Sequence, residues 1–237
     1  MSARRERIEA LEVEIRTELE KRVKSGAAKH YPITDGAVDP ARYLASSPRT
    51  LWILKEPWEA LEADEQGGDW SVTRTLIPRL ISEGRISSSI TYRRMAYVTY
   101  SVLNGYRTYA EIPFTWQDAA VAESLRTIAY INVSKFPGRS RSVATQIEAA
   151  YQQNREILKW QVETFDPQVI IAGNILPLFF RDFALTHEEM QHAKSVDYAH
   201  KDGRLYINAY HPSYWRCKEE NYVNDITAVI RQHFPIV

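Results

Sequence analysis

The chain has 237 residues, 44% of them hydrophobic and 25% charged, which is the make-up of a globular protein and excludes a disordered or fibrous one. Thirty Lys and Arg balance thirty Asp and Glu, so no net field draws the whole molecule to a polyanion, although a local basic groove is still allowed. A single cysteine, Cys217, excludes a disulfide scaffold and a multi-cysteine zinc or iron–sulfur site.

In chain order, Ile8, Leu11, Ile15 and Leu19 recur at helical spacing and predict an amphipathic helix over residues 1–26. A loop with Pro32, Gly36 and Pro40 leads to the apolar run at 51–54, a buried strand, and Pro57 suits the first turn of a helix after it. Residues 70–84 and 91–104 read as helices, with Pro78 expected to kink or split the first. Tyrosines crowd the stretch 91–110, where helical spacing favours core positions over base-stacking platforms. After a helix near 116–127 come a strand at 129–134, a loop KFPGRSRS at 135–142, a long helix at 143–165 and a strand at 167–173. A further helix, a strand at 204–210 and a closing helix at 218–233 complete the pattern. Strands alternating with helices predict an α/β fold: a three-layer α/β/α sandwich around a mainly parallel sheet of roughly four strands, in one domain spanning 27–237. Ligands of such sheets sit where strand carboxyl ends meet the loops. The polar loops after three of these strands carry KEPW, KFPGRSRS and HPSYW. The absence of an apolar run of membrane-spanning length, and of a signal-peptide core at the start, leads to the expectation of a cytoplasmic protein with no membrane partner.

These loops resemble, in order and setting, the motifs of the uracil-DNA glycosylase superfamily. Leu54-Lys55-Glu56-Pro57-Trp58 stands where the family has a water-activating loop of the type Gly-Gln-Asp-Pro-Tyr. Asn132 ends the second strand where the family reads the base, Gly173-Asn174 echoes a phosphate-gripping Gly-Ser, and His211-Pro212-Ser213 precedes Tyr214, Trp215 and Arg216 at the place of the family's duplex wedge. The resemblance covers roughly residues 50–234 and implies an enzyme that flips a base from DNA and hydrolyses its glycosidic bond, as a monomer without metal or organic cofactor.

The chemistry asks for these residue types. Glycosidic cleavage builds positive charge on the sugar and negative charge on the departing base. A carboxylate stabilises the first and orients a water, the role that falls to Glu56. A preorganised donor such as His211 stabilises the second, a contribution worth about 3 kcal/mol. Asn132 offers a donor and an acceptor to a base edge, and Asn is otherwise unfavourable in strands. Trp58 stands where uracil-specific members carry a Tyr that screens out C5-substituted pyrimidines, and Lys55, in place of the family's Gln, either contacts phosphate or a polar base substituent or points away altogether. Arg139, Ser140, Arg141 and Ser142 combine charge and hydroxyls for phosphate clamping beside a helix N-terminus, and aromatic side chains such as Tyr214 and Trp215 serve well as wedges.

Each residue also has a plainer reading: Glu56 as a helix-starting acid, Asn132 as a structural hydrogen bonder, Trp58 as core, the Arg139–Ser142 stretch as an exposed loop. The sequence departs from the family at Lys55 (usually Gln) and Glu56 (usually Asp or Asn), which points to a damaged, mismatched or modified base, including modified bases of invading phage DNA. A catalytically silent nucleic-acid-binding relative, and a hydrolase of free nucleosides, stay open as alternatives. HEEMQH at 187–192 is not a zinc-protease motif, because histidines five apart on a helix diverge by about 140°.

Overall fold

The two most apolar strands lie at the middle of the sheet. β2 (Thr50–Leu54) and β4 (Val169–Gly173) are buried at every residue, as parallel strands covered on both faces must be. The computed structural model describes residues 2–62, 64–139 and 141–235. Within them, β1 (Gly36–Ala37), β2, β3 (Ala129–Asn132), β4, β5 (Gln191–Ala193), β6 (Val196–Lys201) and β7 (Arg204–Ala209) form one mixed sheet in the order β1-β3-β2-β4-β7-β6-β5. The four strands β3, β2, β4 and β7 run parallel, with Leu54 opposite Asn132 and Gly173 opposite Ala209. Chain order reverses about β2, which has β3 on one side and β4 on the other, and crevices for ligands form at the carboxyl ends of such a switch point.

Those four parallel strands are the ones the sequence pattern predicts, but the sheet has seven. The additions are antiparallel and lie at the edges. β1 is only two residues long, too short for any periodicity to reveal. β6 reaches β7 through Asp202-Gly203, both at positive φ (51° and 76°), the two-residue hairpin turn for which Asp-Gly is a strong signal. The helix expected after β4 is a single 3₁₀ turn, Leu176–Phe179, and Ala184 at φ 50° turns the chain back soon after it. His187 packs on Phe180 in a turn, and His192 lies in β5 with Nδ1 2.8 Å from Asp197.

The helices are α1 (Ser2–Lys24), α2 (Pro40–Ala45), α3 (Ile77–Ser82), α4 (Ile90–Leu103), α5 (Ala119–Glu123), α6 (Ala144–Phe165) and α7 (Glu219–His233). Pro78 splits its segment as expected: a π-helical turn, Val72–Leu76, gives way to α3 with the proline in the first turn. Side chains alternate across the sheet. Trp52, Leu54, Tyr130 and Ile171 join Tyr97 of α4 and Ile226 of α7 in one hydrophobic cluster, while Leu51, Ile53, Ile131 and Ile170 join Tyr43 of α2 and Leu158 of α6 in another. The whole stripe Ile8, Leu11, Ile15 and Leu19 of α1 is buried in that second cluster, so α1 shares the core of the domain it precedes. Among the described residues no helix is long and apolar enough to cross a membrane.

One polar group sits inside this apolar frame. Lys135 and Asp35 are both completely buried, with Nζ 2.7 Å from Oδ1 and 2.9 Å from Oδ2. Gln161 of α6 accepts from Lys135 Nζ at 2.8 Å and donates to Asp35 Oδ1 at 2.8 Å, and the Asn132 backbone N–H donates to Asp35 Oδ2 at 2.8 Å. Burial pushes the Asp35 carboxyl up and the Lys135 ammonium down, and their mutual contact opposes both shifts. Removing one partner strands the other. Lys135→Met is therefore expected to cost about 3–5 kcal/mol in urea unfolding, and adding Asp35→Asn should restore part of the loss. A single-mutant cost within experimental error of zero would show that the pair does not anchor the fold.

Candidate active site

The backbone beyond β2 and β3 continues as a zipped pair. Val133 N–H donates to the Leu54 carbonyl (2.9 Å), Ser134 N–H to Lys55 (2.8 Å) and Gly138 N–H to Pro57 (2.8 Å). This lays Gly138 directly on Glu56: a Cβ at Gly138 would fall 2.4 Å from Glu56 Cδ and 2.6 Å from Oε2, so a larger residue there would push the Glu56 side chain aside. The other carboxylate oxygen, Oε1, is shielded from solvent and accepts no hydrogen bond from a described residue. A buried acceptor left unpaired costs about 1–3 kcal/mol, and more when charged.

His211 follows β7. Its Nδ1 accepts from the Ser213 backbone N–H (3.2 Å) and lies 2.8 Å from Ser213 Oγ. A backbone N–H only donates, so Nδ1 is unprotonated and the neutral ring carries its proton on Nε2. Gly173 seats the ring, since a Cβ there would come within 3.3 Å of His211 Cδ2. Burial, and then the charge of Lys55, push the imidazole down to about 4.

The loop that carries His211 is held from below by a buried arginine. Arg94 of α4 donates to the carbonyls of Pro212 (3.0 Å), Tyr214 (3.0 Å) and Cys217 (2.6 Å), and its guanidinium lies over the Tyr222 ring at 5.2 Å. Charged donors to carbonyls are each worth about 1.5–3 kcal/mol. Arg94 therefore explains why a turn with four exposed residues, 213–216, keeps a defined shape.

These loops enclose one open cleft of about 660 Å³, within the range of small-ligand sites. Lys55, Glu56, Trp58, Arg139, Arg141, Ser142, His211, Ser213, Tyr214 and Trp215 all line it. The motif residues of three separate loops thus meet in one place. Trp58 is 61% exposed and so is no core residue, and its backbone bridges Gly138. Arg139 and Arg141 are exposed and have no acidic partner among the described residues.

Other expected residues lie elsewhere. Asn132 is 1% exposed and off the cleft wall: its Oδ1 accepts from the Tyr130 hydroxyl at 3.1 Å, while its Nδ2 is buried without a partner. Gly173 stands behind His211, and Asn174 is exposed at φ 60°, away from the cleft. Arg216 stacks on the exposed Trp215 at 5.1 Å. Ser140 lies outside the described residues.

The walls that motif reading missed are aromatic. Tyr92 and Tyr130, with ring centroids 6.3 Å apart, and Trp70, whose Nε1 donates to Glu59 at 3.0 Å, face the cleft. Tyr92 opens the tyrosine-rich stretch whose later members Tyr97, Tyr100 and Tyr106 are core, and nothing in their spacing separates the two roles. Among the described residues no group of three or more His, Cys, Asp or Glu side chains is placed to hold a metal ion. Comparison with known proteins finds no matching family model and no curated protein with significant similarity.

The histidine assignment has a pH signature. An unfolded histidine takes up its proton near 6.5, the folded His211 only near 4. Between those values the unfolded chain binds the extra proton, so this residue's contribution to stability falls as pH drops through the window and is constant above it. An NMR titration of the ring, assigned with His211→Gln, should give a midpoint at about pH 4; a midpoint at the ordinary histidine value would remove the neutral donor.

Proposed function

We propose that this chain is a DNA glycosylase that accepts a flipped-out, non-standard base and hydrolyses its bond to deoxyribose, acting as a monomer without metal or organic cofactor. The observation that carries this reading is Glu56, one of whose carboxylate oxygens has no partner among the described residues, lining the same cleft as a neutral His211 whose only free ring donor is Nε2–H. A carboxylate held without a counter-donor is suited to a sugar whose positive charge exists only in the transition state, and to the water that attacks it. A neutral imidazole N–H is suited to a base that leaves with negative charge, because it donates without first losing a proton to it. The two hydrophobic clusters, one on each face of the sheet, support a three-layer α/β/α frame of the kind the motif resemblance implies.

The rest of the cleft supports a flat aromatic ligand on a phosphodiester chain. Trp58, Trp70, Tyr92 and Tyr130 offer ring faces and edges to a flipped base. Arg139 and Arg141, unpaired at the rim, suit flanking phosphates, where they position the strand and read no sequence. Tyr214 and Trp215, at 37% and 75% exposure, project from the Arg94-braced loop as wedge residues do. Asn132 enters the reading one step back, accepting from the hydroxyl of Tyr130, a residue of the cleft wall.

The test is a panel of oligonucleotides carrying different damaged or modified bases, each followed by alkali treatment to reveal abasic sites. With a cleavable base in hand, Glu56→Gln and His211→Ala should each slow single-turnover release by about 10²–10³-fold while DNA affinity changes far less, since both act mainly in the transition state. Wild-type rates in both variants would end this mechanism. Binding without release of any base would instead make the chain a silent relative.

A further inference from the structure

The cleft holds a primary amine as well as a carboxylate and an imidazole. Lys55 leaves β2 directly, and its carbonyl accepts from Ser134 N–H at 2.8 Å, so its backbone is pinned to the extension of β3. Its half-buried side chain lines the cleft beside Glu56 and His211 and makes no hydrogen bond or salt bridge to a described residue. Cations that brace the framework are paired: Lys135 with Asp35, Arg74 with Glu12, Arg93 with Glu219. Lys55 lines the same cleft as His211, and its charge adds to the burial that disfavours the protonated imidazole. An unpaired lysine inside a cleft with an unpaired carboxylate is the equipment of imine chemistry.

We propose that Lys55 is the nucleophile of an abasic-site lyase activity in this cleft, acting after the base has left. The proposal rests on the glycosylase reading for the origin of its substrate, while its chemistry needs only an abasic sugar. Loss of the base leaves C1′ as a hemiacetal in equilibrium with the open-chain aldehyde. The Lys55 amine, its extra proton given up to solvent, forms a bond to C1′; the C1′ oxygen takes one N–H proton and one proton from solvent and leaves as water, giving a protonated imine. The imine nitrogen draws the electrons of the C2′–H bond, and the Glu56 carboxylate takes that proton. The electron pair then forms the C2′–C3′ double bond as the C3′–O bond breaks, with the phosphate leaving on its oxygen. Hydrolysis of the imine returns the amine, an unsaturated aldehyde at one new end and a 5′-phosphate at the other. No oxidant or reductant enters.

The experiment uses the full chain and a synthetic oligonucleotide carrying one pre-formed abasic site, with and without sodium borohydride. Wild-type protein should form a covalent adduct with borohydride, mapped by mass spectrometry to Lys55, and should cut the strand 3′ to the site without it. Lys55→Arg keeps the positive charge and loses the nucleophile, and should lose both adduct and cutting. Glu56→Gln should keep the adduct but slow strand cutting, which a purely structural role for Lys55 would not produce. An adduct undiminished in Lys55→Arg, or mapped to another lysine or the terminal amine, would overturn the proposal. So would absence of any adduct while fluorescence anisotropy shows the abasic DNA bound. That last result leaves the glycosylase reading standing, because base release is scored separately on DNA that still carries its base.

Discussion

Lys135 is the first residue after the β3 strand's extension, and its ammonium points into the protein, onto Asp35 and Gln161. A charge at zero exposure cannot drift, because any movement toward solvent leaves Asp35 unpaired in an apolar surround. The loop that begins at Lys135 therefore starts from a fixed point, and three residues later Gly138 closes on Glu56. The same point holds the opposite wall: Ile33 N–H donates to the Lys135 carbonyl at 2.8 Å, and the segment it leads bridges at Thr34 to Ser71, next to Trp70. Glu12 of α1 completes the tie, accepting from Thr34 Oγ1 at 2.7 Å, Ser71 Oγ at 2.6 Å and Arg74 Nε at 2.9 Å. One buried ion pair and one buried carboxylate thus set where two sides of the cleft lie.

The remaining side depends on Arg94 in a comparable way. Three carbonyls of the turn after His211 converge on one guanidinium, and a planar group with fixed donor directions constrains them more tightly than a lysine would. His211 can then be held by very little of its own, a Ser213 N–H and the space left by Gly173, and still present a defined tautomer. Glu56 Oε1 is an exception to ordinary satisfaction, while His211 Nδ1 is bonded and leaves Nε2 as the ring's free donor.

The zero net charge of the chain fits this arrangement better than it fits a protein that coats nucleic acid. The positive residues that line the cleft, Lys55, Arg139 and Arg141, are few and lie beside aromatic surface, so positive charge is local to the cleft and not spread over the molecule.

Much of this was legible in the residue order. Apolar runs, proline positions and helical spacing place β2, β3, β4, β7, α1, α4, α6 and α7 within a few residues, because local periodicity reports which faces are buried. KEPW, KFPGRSRS and HPSYW after strands are enough to send Glu56, the Arg139–Ser142 stretch and His211 to one end of a parallel sheet, since connectivity alone puts strand ends together. The β6–β7 hairpin was also written in the chain, in Asp202-Gly203. Tertiary structure alone decided that Asn132 stands behind Tyr130, that Tyr92 and not Tyr97 faces the cleft, and that Lys135 is inside while Lys55 is in the cleft. All of these depend on which side of a strand or helix meets a partner distant in sequence. A lysine at a strand end reads the same whether it meets Asp35, 100 residues away, or open space. Burial of charge is a property of the packed neighbours, and a one-dimensional pattern does not contain them.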